Sequence, residues 1–398
     1  MAVLPIHIFL LWQVRDQIEA GDPDFTIFYT AARILREGRR TQLYEGSTQR
    51  DVQREFTSNL EIRRGPLPYN HPPFEALIFL PLTLLPYRQA FVVWNLANLA
   101  MLFAIALLLR RSTRYLSRIS LLEAVLAMLA FFPVLENFLQ GQDAVLLLLL
   151  FVLAYSALNK DADFSAGFWL GLATFKYHFA LGLGLALVFW RGRKVALGFA
   201  TTAGAAALVS LAMVGWHEAL RYFSYAWTSV ATPGYGQTPF GEPNLLGLLT
   251  GWRLLQPAGG PLRVMAVIAS IGLLAAVISL RAAARDGRLF GLCVACAVTA
   301  AVLAGYNTNV HDVSLLVLPV ALVADECALA WSQSRKISRQ LIAPIVPVLL
   351  SPIWIISWMG WHRANVMAIF LLWWCVTIRR DILRRSRGED IAAVSAAT

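Results

Sequence analysis

A succession of apolar runs constrains this chain more than any other feature of its sequence. Most of the runs are close to the ~20 residues that a helix needs to cross ~30 Å of hydrocarbon. Hydrophobic residues occupy 58% of the 398 positions and charged residues only 15%, a composition too apolar for an ordinary soluble domain. These runs predict an all-α polytopic membrane protein.

We predict about twelve transmembrane helices, each of roughly the length that a bilayer requires. They form one integral-membrane domain over residues 1–378, followed by a basic cytoplasmic tail at 379–398. The first run, Met1–Val14, has no preceding basic residue and is interpreted as a span instead of a signal peptide. The other spans are predicted at about 88–109, 119–139, 143–158, 164–175, 178–190, 194–214, 261–281, 289–304, 313–330, 339–358 and 365–378.

The segment 15–86 is predicted to be the first extracytoplasmic loop. It contains two amphipathic helical patterns, at 27–35 and 48–60, which are typical of helices at a membrane interface. Pro72–Pro86 is apolar but too short for a span, so it is predicted to form a helix that dips into the interface.

The basic residues are placed as orientation signals. Of the 34 Lys and Arg residues, 19 lie in the C-terminal tail and in five short connections between predicted spans. These connections alternate along the chain with connections assigned to the other face. Positively charged short loops stay cytoplasmic. This predicts a multi-pass protein of a bacterial-type plasma membrane with its N-terminus inside. The run Arg379–Arg387 is expected to contact anionic membrane lipids, and no nucleic-acid partner is predicted.

With this orientation the remaining polar motifs share the extracytoplasmic face. Segments far apart in the sequence then converge, as a site built from helix ends requires. The motifs are Asp22-Pro23-Asp24, Tyr69–Pro73, Gln140–Asp143, Lys176–His178, Pro243-Asn244 and Asn307–Asp312.

Lys176 is the strongest single candidate for binding a substrate. An ammonium within an apolar run costs at least ~2.5 kcal/mol unless it meets a partner or an aqueous cavity. A phosphate group is a natural partner for so compact a charge. His311 and Asp312 begin a helix, whose N-terminus favours anions, although a solvated helix start explains them equally simply.

Five further residues are predicted to contribute to substrate binding, each with a structural alternative. His71 precedes two prolines and His178 lies two positions beyond Lys176. Gln142 and Asp143 occupy a polar turn that two adjacent spans need in any case. Asn244 begins a helix, where capping is the leading alternative.

No metal ion or other cofactor is predicted, because no ligand spacing is recognised on a common face. The lone pair Cys293 and Cys296 lies in an apolar run, where packing is the simpler role. A Gly-rich phosphate loop is also missing from the sequence, which argues against a soluble nucleotide-sugar donor.

An ordered set of short motifs runs from about Asp24 to Pro319. These motifs are Asp24-Phe25-Thr26-Ile27-Phe28-Tyr29-Thr30-Ala31-Ala32, Leu43-Tyr44, Pro72-Pro73-Phe74, Leu84-Leu85-Pro86, Trp94-Asn95-Leu96-Ala97-Asn98, Gly141-Gln142, Gly171-Leu172-Ala173-Thr174-Phe175-Lys176, Asn244 and His311-Asp312. Together they resemble glycosyltransferase family 87, whose members use polyprenyl-phosphate sugars and have the GT-C membrane fold.

The resemblance implies a GT-C type bundle that transfers a sugar, usually mannose or another hexose, with inversion. It implies a polyprenyl-phosphate sugar donor, a lipid or glycan acceptor, and an acidic catalytic base in the first outer loop, which corresponds to Asp24. From position alone, the leading interpretation of Asp24 is an acid that stabilises a helix N-terminus, or a cap together with Asp22. A transporter or lipid flippase is the rival function, because polytopic bundles with buried ionisable residues also suit translocation.

Overall fold

The computed structural model describes residues 23–57, 67–231, 239–252, 259–332 and 339–387, together with a few positions before residue 17. These residues are mostly helical and contain no strand, which confirms the predicted all-α class. The predicted first span, Met1–Val14, and the end of the basic tail fall largely outside the described residues.

Short turns connect most of the helices. In chain order the helices are α1 Phe25–Arg36, α2 Gly46–Arg54, α3 Pro73–Leu84, α4 Tyr87–Ser112, α5 Leu121–Leu129, α6 Phe132–Gln140, α7 Ala144–Leu158, α8 Asp163–Arg191, α9 Arg193–Ala231, α10 Leu245–Thr250, α11 Gly259–Ile278, α12 Phe290–Ala304, α13 His311–Ser332, α14 Arg339–Leu349 and α15 Met367–Ser386. Single turns of helix also occur at Arg281–Ala284 and Ser351–Ile355.

Five of the described helices are long and apolar enough to cross a membrane: α4, α8, α11, α13 and the Arg193–Ser224 part of α9. The pair α5 and α6, bent by 75°, adds a sixth if it is one broken span. The chain is therefore a polytopic membrane protein, but the predicted count of twelve spans is not confirmed. Helices α7 and α12 have 15 residues each, which extend only about 22 Å.

The predicted break near Lys176 is present inside a single helix. A 3₁₀ turn, Ala173–Lys176, joins the two halves of α8, and the whole helix of 29 residues has the length of one span. The sequence predicts two spans in this region. The turn tightens the backbone locally and leaves Lys176 at the point where the second half of α8 begins.

Glycines allow α8 and α9 to pack at very short distance. A Cβ atom on Gly167 would overlap the carbonyl oxygen of Val195, and one on Gly198 would overlap that of Phe164. Close backbone approach of this kind is typical of small residues between membrane helices. The Thr202 hydroxyl donates to the Phe168 carbonyl oxygen across the same contact at 2.8 Å.

An aromatic cluster attaches the first-loop helices to the N-terminal end of α4. Phe28 stacks on Phe79 with ring centroids 4.5 Å apart, and Phe79 lies 4.6 Å from Trp94. Helix α1 covers the first predicted amphipathic segment, 27–35, but is buried along most of its length. Helix α2 covers only the start of the second, 48–60, because it ends at Arg54. This packing fixes the start of α1, and with it Asp24, beside the turn between α6 and α7.

Candidate active site

The turn between α6 and α7 forms the centre of the candidate site. Helix α6 ends at Gln140 and is followed by Gly141, whose φ of +60° is the left-handed conformation that glycine adopts without strain. A Cβ atom at this position would also lie 2.7 Å from Phe25 Cβ, so α1 approaches the turn closely. Trp94 Nε1 and Asn98 Nδ2 both donate to the Gln142 carbonyl oxygen, at 3.2 and 3.4 Å. The backbone of Gln142 and Asp143 is therefore held firmly.

Asp24 lies at the N-terminus of α1, but its side chain makes no capping hydrogen bond. Its carboxylate Oδ2 instead accepts a hydrogen bond from Gln142 Nε2 at 2.8 Å. Its backbone N–H donates to Gln140 Oε1 at 3.1 Å. Gln142 thus orients the partly buried carboxylate, and Gln140 holds the backbone beside it. The capping alternative does not describe the Asp24 side chain.

Lys176 has two carboxylate partners. Its Nζ lies 2.8 Å from Asp143 Oδ1 and 2.5 Å from Asp312 Oδ1, and all three residues are at most 5% exposed. Two acids, 33 and 136 positions away in the sequence, therefore compensate the charge of this ammonium within the apolar run. Its Nζ donates a hydrogen bond to Asp312, whereas its contact with Asp143 is an ion pair without hydrogen-bond geometry.

His311 forms a second buried ionisable pair beside the first. Its Nδ1 lies 3.2 Å from Glu136 Oε2, and its Nε2 lies 3.6 Å from Asp312 Oδ1. Asp312 Oδ2 also accepts the backbone N–H of Asn309 at 2.8 Å, which fixes the start of α13. The sequence prediction missed Glu136, although an acid within an apolar run is itself a signal of function.

His71 and Glu75 form a third pair, on the other side of Asp143. His71 Nδ1 lies 2.7 Å from Glu75 Oε2, and the Glu75 side chain is completely buried. Ligand atoms of His71, Glu75 and Asp143 all lie within 4.8 Å of one another, so these three residues could hold a metal ion. The sequence prediction missed Glu75, although an acid within an apolar segment is itself a signal of function.

Burial and charge set the pKa values around the turn. Burial lowers the pKa of His71 to about 4, which leaves its imidazole neutral near pH 7. Burial alone would raise the pKa of Asp143, but the Lys176 ammonium outweighs it and holds this pKa well below its usual range. Asp143 is therefore a carboxylate.

His178 and Asn244 lie toward α10 and the loop that follows α12. The His178 ring meets Tyr306 edge-on at 4.8 Å, and the hydroxyls of Tyr177 and Tyr306 are 2.5 Å apart. Asn244 Oδ1 accepts the Gly247 N–H at 2.6 Å, so it caps α10 as its structural alternative predicts. Its Nδ2 donates to Glu242 Oε2 and to the Gly305 carbonyl oxygen. Burial raises the pKa of Glu242 to about 7.

Contacts link most of the predicted residues into one continuous group. Asp24 contacts Gln142, and Asp143 in the same turn contacts Lys176. Lys176 contacts Asp312, which follows His311. Five elements therefore supply one polar site: the start of α1, the start of α3, the turn before α7, the break in α8 and the start of α13.

One protein-family model matches a large part of this chain. The model of glycosyltransferase family 87 matches residues 69–305, a range that includes the turn, Lys176 and the His71–Glu75 pair but excludes Asp24 and His311. No curated protein matches the chain. Because the family match spans more than half of the 398 residues, the chain belongs to glycosyltransferase family 87.

Proposed function

We propose that the protein transfers a hexose, with mannose the first candidate, from a polyprenyl-phosphate carrier to a lipid or glycan acceptor. Transfer takes place on the extracytoplasmic face of a bacterial-type plasma membrane, within a GT-C type helical bundle, and inverts the anomeric carbon. Family membership supports glycosyl transfer, and the geometry of Asp24 supports this chemistry most directly.

Asp24 acts as the general base. Its carboxylate is free of a capping role and is oriented by Gln142, whereas the neighbouring acids Asp143 and Asp312 are paired with Lys176. Asp24 takes the proton of the acceptor hydroxyl as the acceptor oxygen forms its bond to the anomeric carbon. The bond from that carbon to the donor phosphate oxygen breaks on the opposite side, and its electron pair leaves with the phosphate.

Lys176 and His311 face the departing phosphate. Lys176 donates a hydrogen bond to Asp312 and keeps N–H donors for the phosphate, and a buried donor strengthens as negative charge develops on the leaving oxygen. Gln142, Asp143 and Asp312 hold these groups in position, and His71 and His178 border the same space. A transporter or lipid flippase is the alternative, but family membership favours the transferase.

The test uses Asp24→Asn in a reconstituted transfer assay with a panel of radiolabelled polyprenyl-phosphate hexoses and a membrane-lipid extract as acceptor. Asn keeps the shape and cannot take a proton, so turnover should fall by about 10²–10⁴-fold while donor binding is retained. Asp51→Asn, an exposed aspartate on α2, is the matched control and should behave like the wild type. Near-normal turnover of Asp24→Asn would refute the base assignment.

A further inference from the structure

Three buried carboxylates surround one ammonium in the candidate site. Asp143 and Asp312 both contact Lys176, and Glu75 lies beside Asp143. In ionised form these acids exceed the lysine by two negative charges. The neighbouring His311–Glu136 pair adds no net positive charge even when its imidazole is protonated. Buried charge without compensation costs several kcal/mol, and a leaving phosphate would add to the same imbalance.

Oxygen atoms of the cluster also lack hydrogen-bond donors. Glu75 is completely buried, and neither of its carboxylate oxygens receives a hydrogen bond of normal geometry from the part of the chain that the structure describes. Asp143 Oδ2 likewise receives no hydrogen bond from the described residues. A buried acceptor without a donor is expensive, and a cation bound between these oxygens would remove that cost.

The side chains are fixed before any ligand arrives. The Tyr44 hydroxyl donates to the His71 carbonyl oxygen, and the Tyr69 hydroxyl donates to that of Pro72, both at 2.8 Å. The His71 ring packs against Phe28 and Tyr69 at 5.1 and 5.7 Å. Rigid support of this kind is what metal ligands require from the residues around them.

We propose that His71, Glu75 and Asp143 bind one divalent transition-metal cation of the Mn²⁺ or Zn²⁺ class. One imidazole and two carboxylates suit these ions, whereas Mg²⁺ and Ca²⁺ prefer oxygen ligands alone. Ligand atoms about 2.1 Å from an ion lie at most ~4.2 Å apart. The observed spread of up to 4.8 Å thus requires only a small contraction.

A bound dication cancels the surplus charge of the cluster. It supplies positive charge close to Lys176, where the donor phosphate is placed by the proposed function. Only this consequence for transfer rests on the proposed function; the binding itself does not.

The first experiment measures binding directly. The full-length protein is purified in detergent, stripped with a chelator and titrated with Mn²⁺ without any sugar donor, followed by electron paramagnetic resonance. We expect one ion per chain, with echo modulation from an imidazole nitrogen that disappears in His71→Asn. Failure of the folded wild type to bind a stoichiometric ion, with Zn²⁺ tested in the same way by elemental analysis, would overturn the proposal.

The second experiment uses Glu75→Gln, which keeps the shape and removes one charge. Without metal the variant should be at least as stable as the wild type, because the surplus charge falls. Added Mn²⁺ should raise the unfolding temperature of the wild type and of the control Glu55→Gln, whose carboxylate is exposed. In Glu75→Gln the Mn²⁺ affinity should fall at least about tenfold.

Equal Mn²⁺ affinity in Glu75→Gln and the wild type would contradict the assignment and would leave Glu75 as a protonated partner of Asp143. Loss of sugar transfer alone bears on the proposed function only, because both experiments omit the donor.

Discussion

Replacement of Lys176 by methionine tests the charge arrangement on which the site depends. Met fills a similar volume but leaves Asp143 and Asp312 without their ammonium, and both acids are at most 2% exposed. Removing one partner of a buried pair costs about 3–5 kcal/mol. At about 2 °C per kcal/mol for a chain of this size, the unfolding temperature should fall by roughly 6–10 °C.

The assay is thermal unfolding in detergent with chelator present, followed by tryptophan fluorescence. Lys160→Met, at an exposed turn between α7 and α8, is the matched control and should change little. Adding Asp143→Asn and Asp312→Asn to Lys176→Met removes both orphaned charges and should restore most of the lost stability. If Lys176→Met unfolds at the wild-type temperature, the two acids are not charged partners of this lysine, and the reasoning fails.

Two further predictions concern pH and packing. Glu242 has a folded-state pKa of about 7, above its ordinary value of 4.5, so stability should fall as pH rises from about 4.5 through 7. Glu242→Gln should remove that dependence in unfolding measured from pH 4 to 8; an unchanged slope would refute it. Gly167→Ala should lower stability by about 1–3 kcal/mol because its Cβ meets the Val195 carbonyl. Gly204→Ala should not lower stability, because open space surrounds that position. Equal unfolding temperatures of Gly167→Ala and the wild type would contradict the close contact.

Lys176 shows how much of the site the sequence predicts. An ammonium in an apolar run has to find a partner, so the sequence predicts that Lys176 is buried in a polar site. It does not predict which partner, because any acid or phosphate satisfies the same requirement. The pairing with Asp143 and Asp312 depends on how α8 packs against α7 and α13.

Glu75 and Glu136 are two residues of the site that the sequence prediction missed. Both are acids within apolar segments, and each lies beside a histidine that the sequence analysis selected. The spacing of His71 and Glu75 is visible in the sequence, whereas Glu136 and His311 are 175 positions apart. Local periodicity carries no information on a contact of that separation.

The sequence by itself determined the helical membrane class, the family likeness and most of the polar residues that meet in the site, because hydrophobic length and ionisable residues in apolar runs are local signals. Only the tertiary structure decided the role of each group. In the structure the Asp24 carboxylate accepts a hydrogen bond from Gln142 and does not cap its own helix. Lys176 is paired with two acids, and the Asn244 side chain caps α10. These choices depend on packing between distant segments, where backbone positions fixed by close glycine contacts and aromatic stacking determine which polar atoms can reach each other.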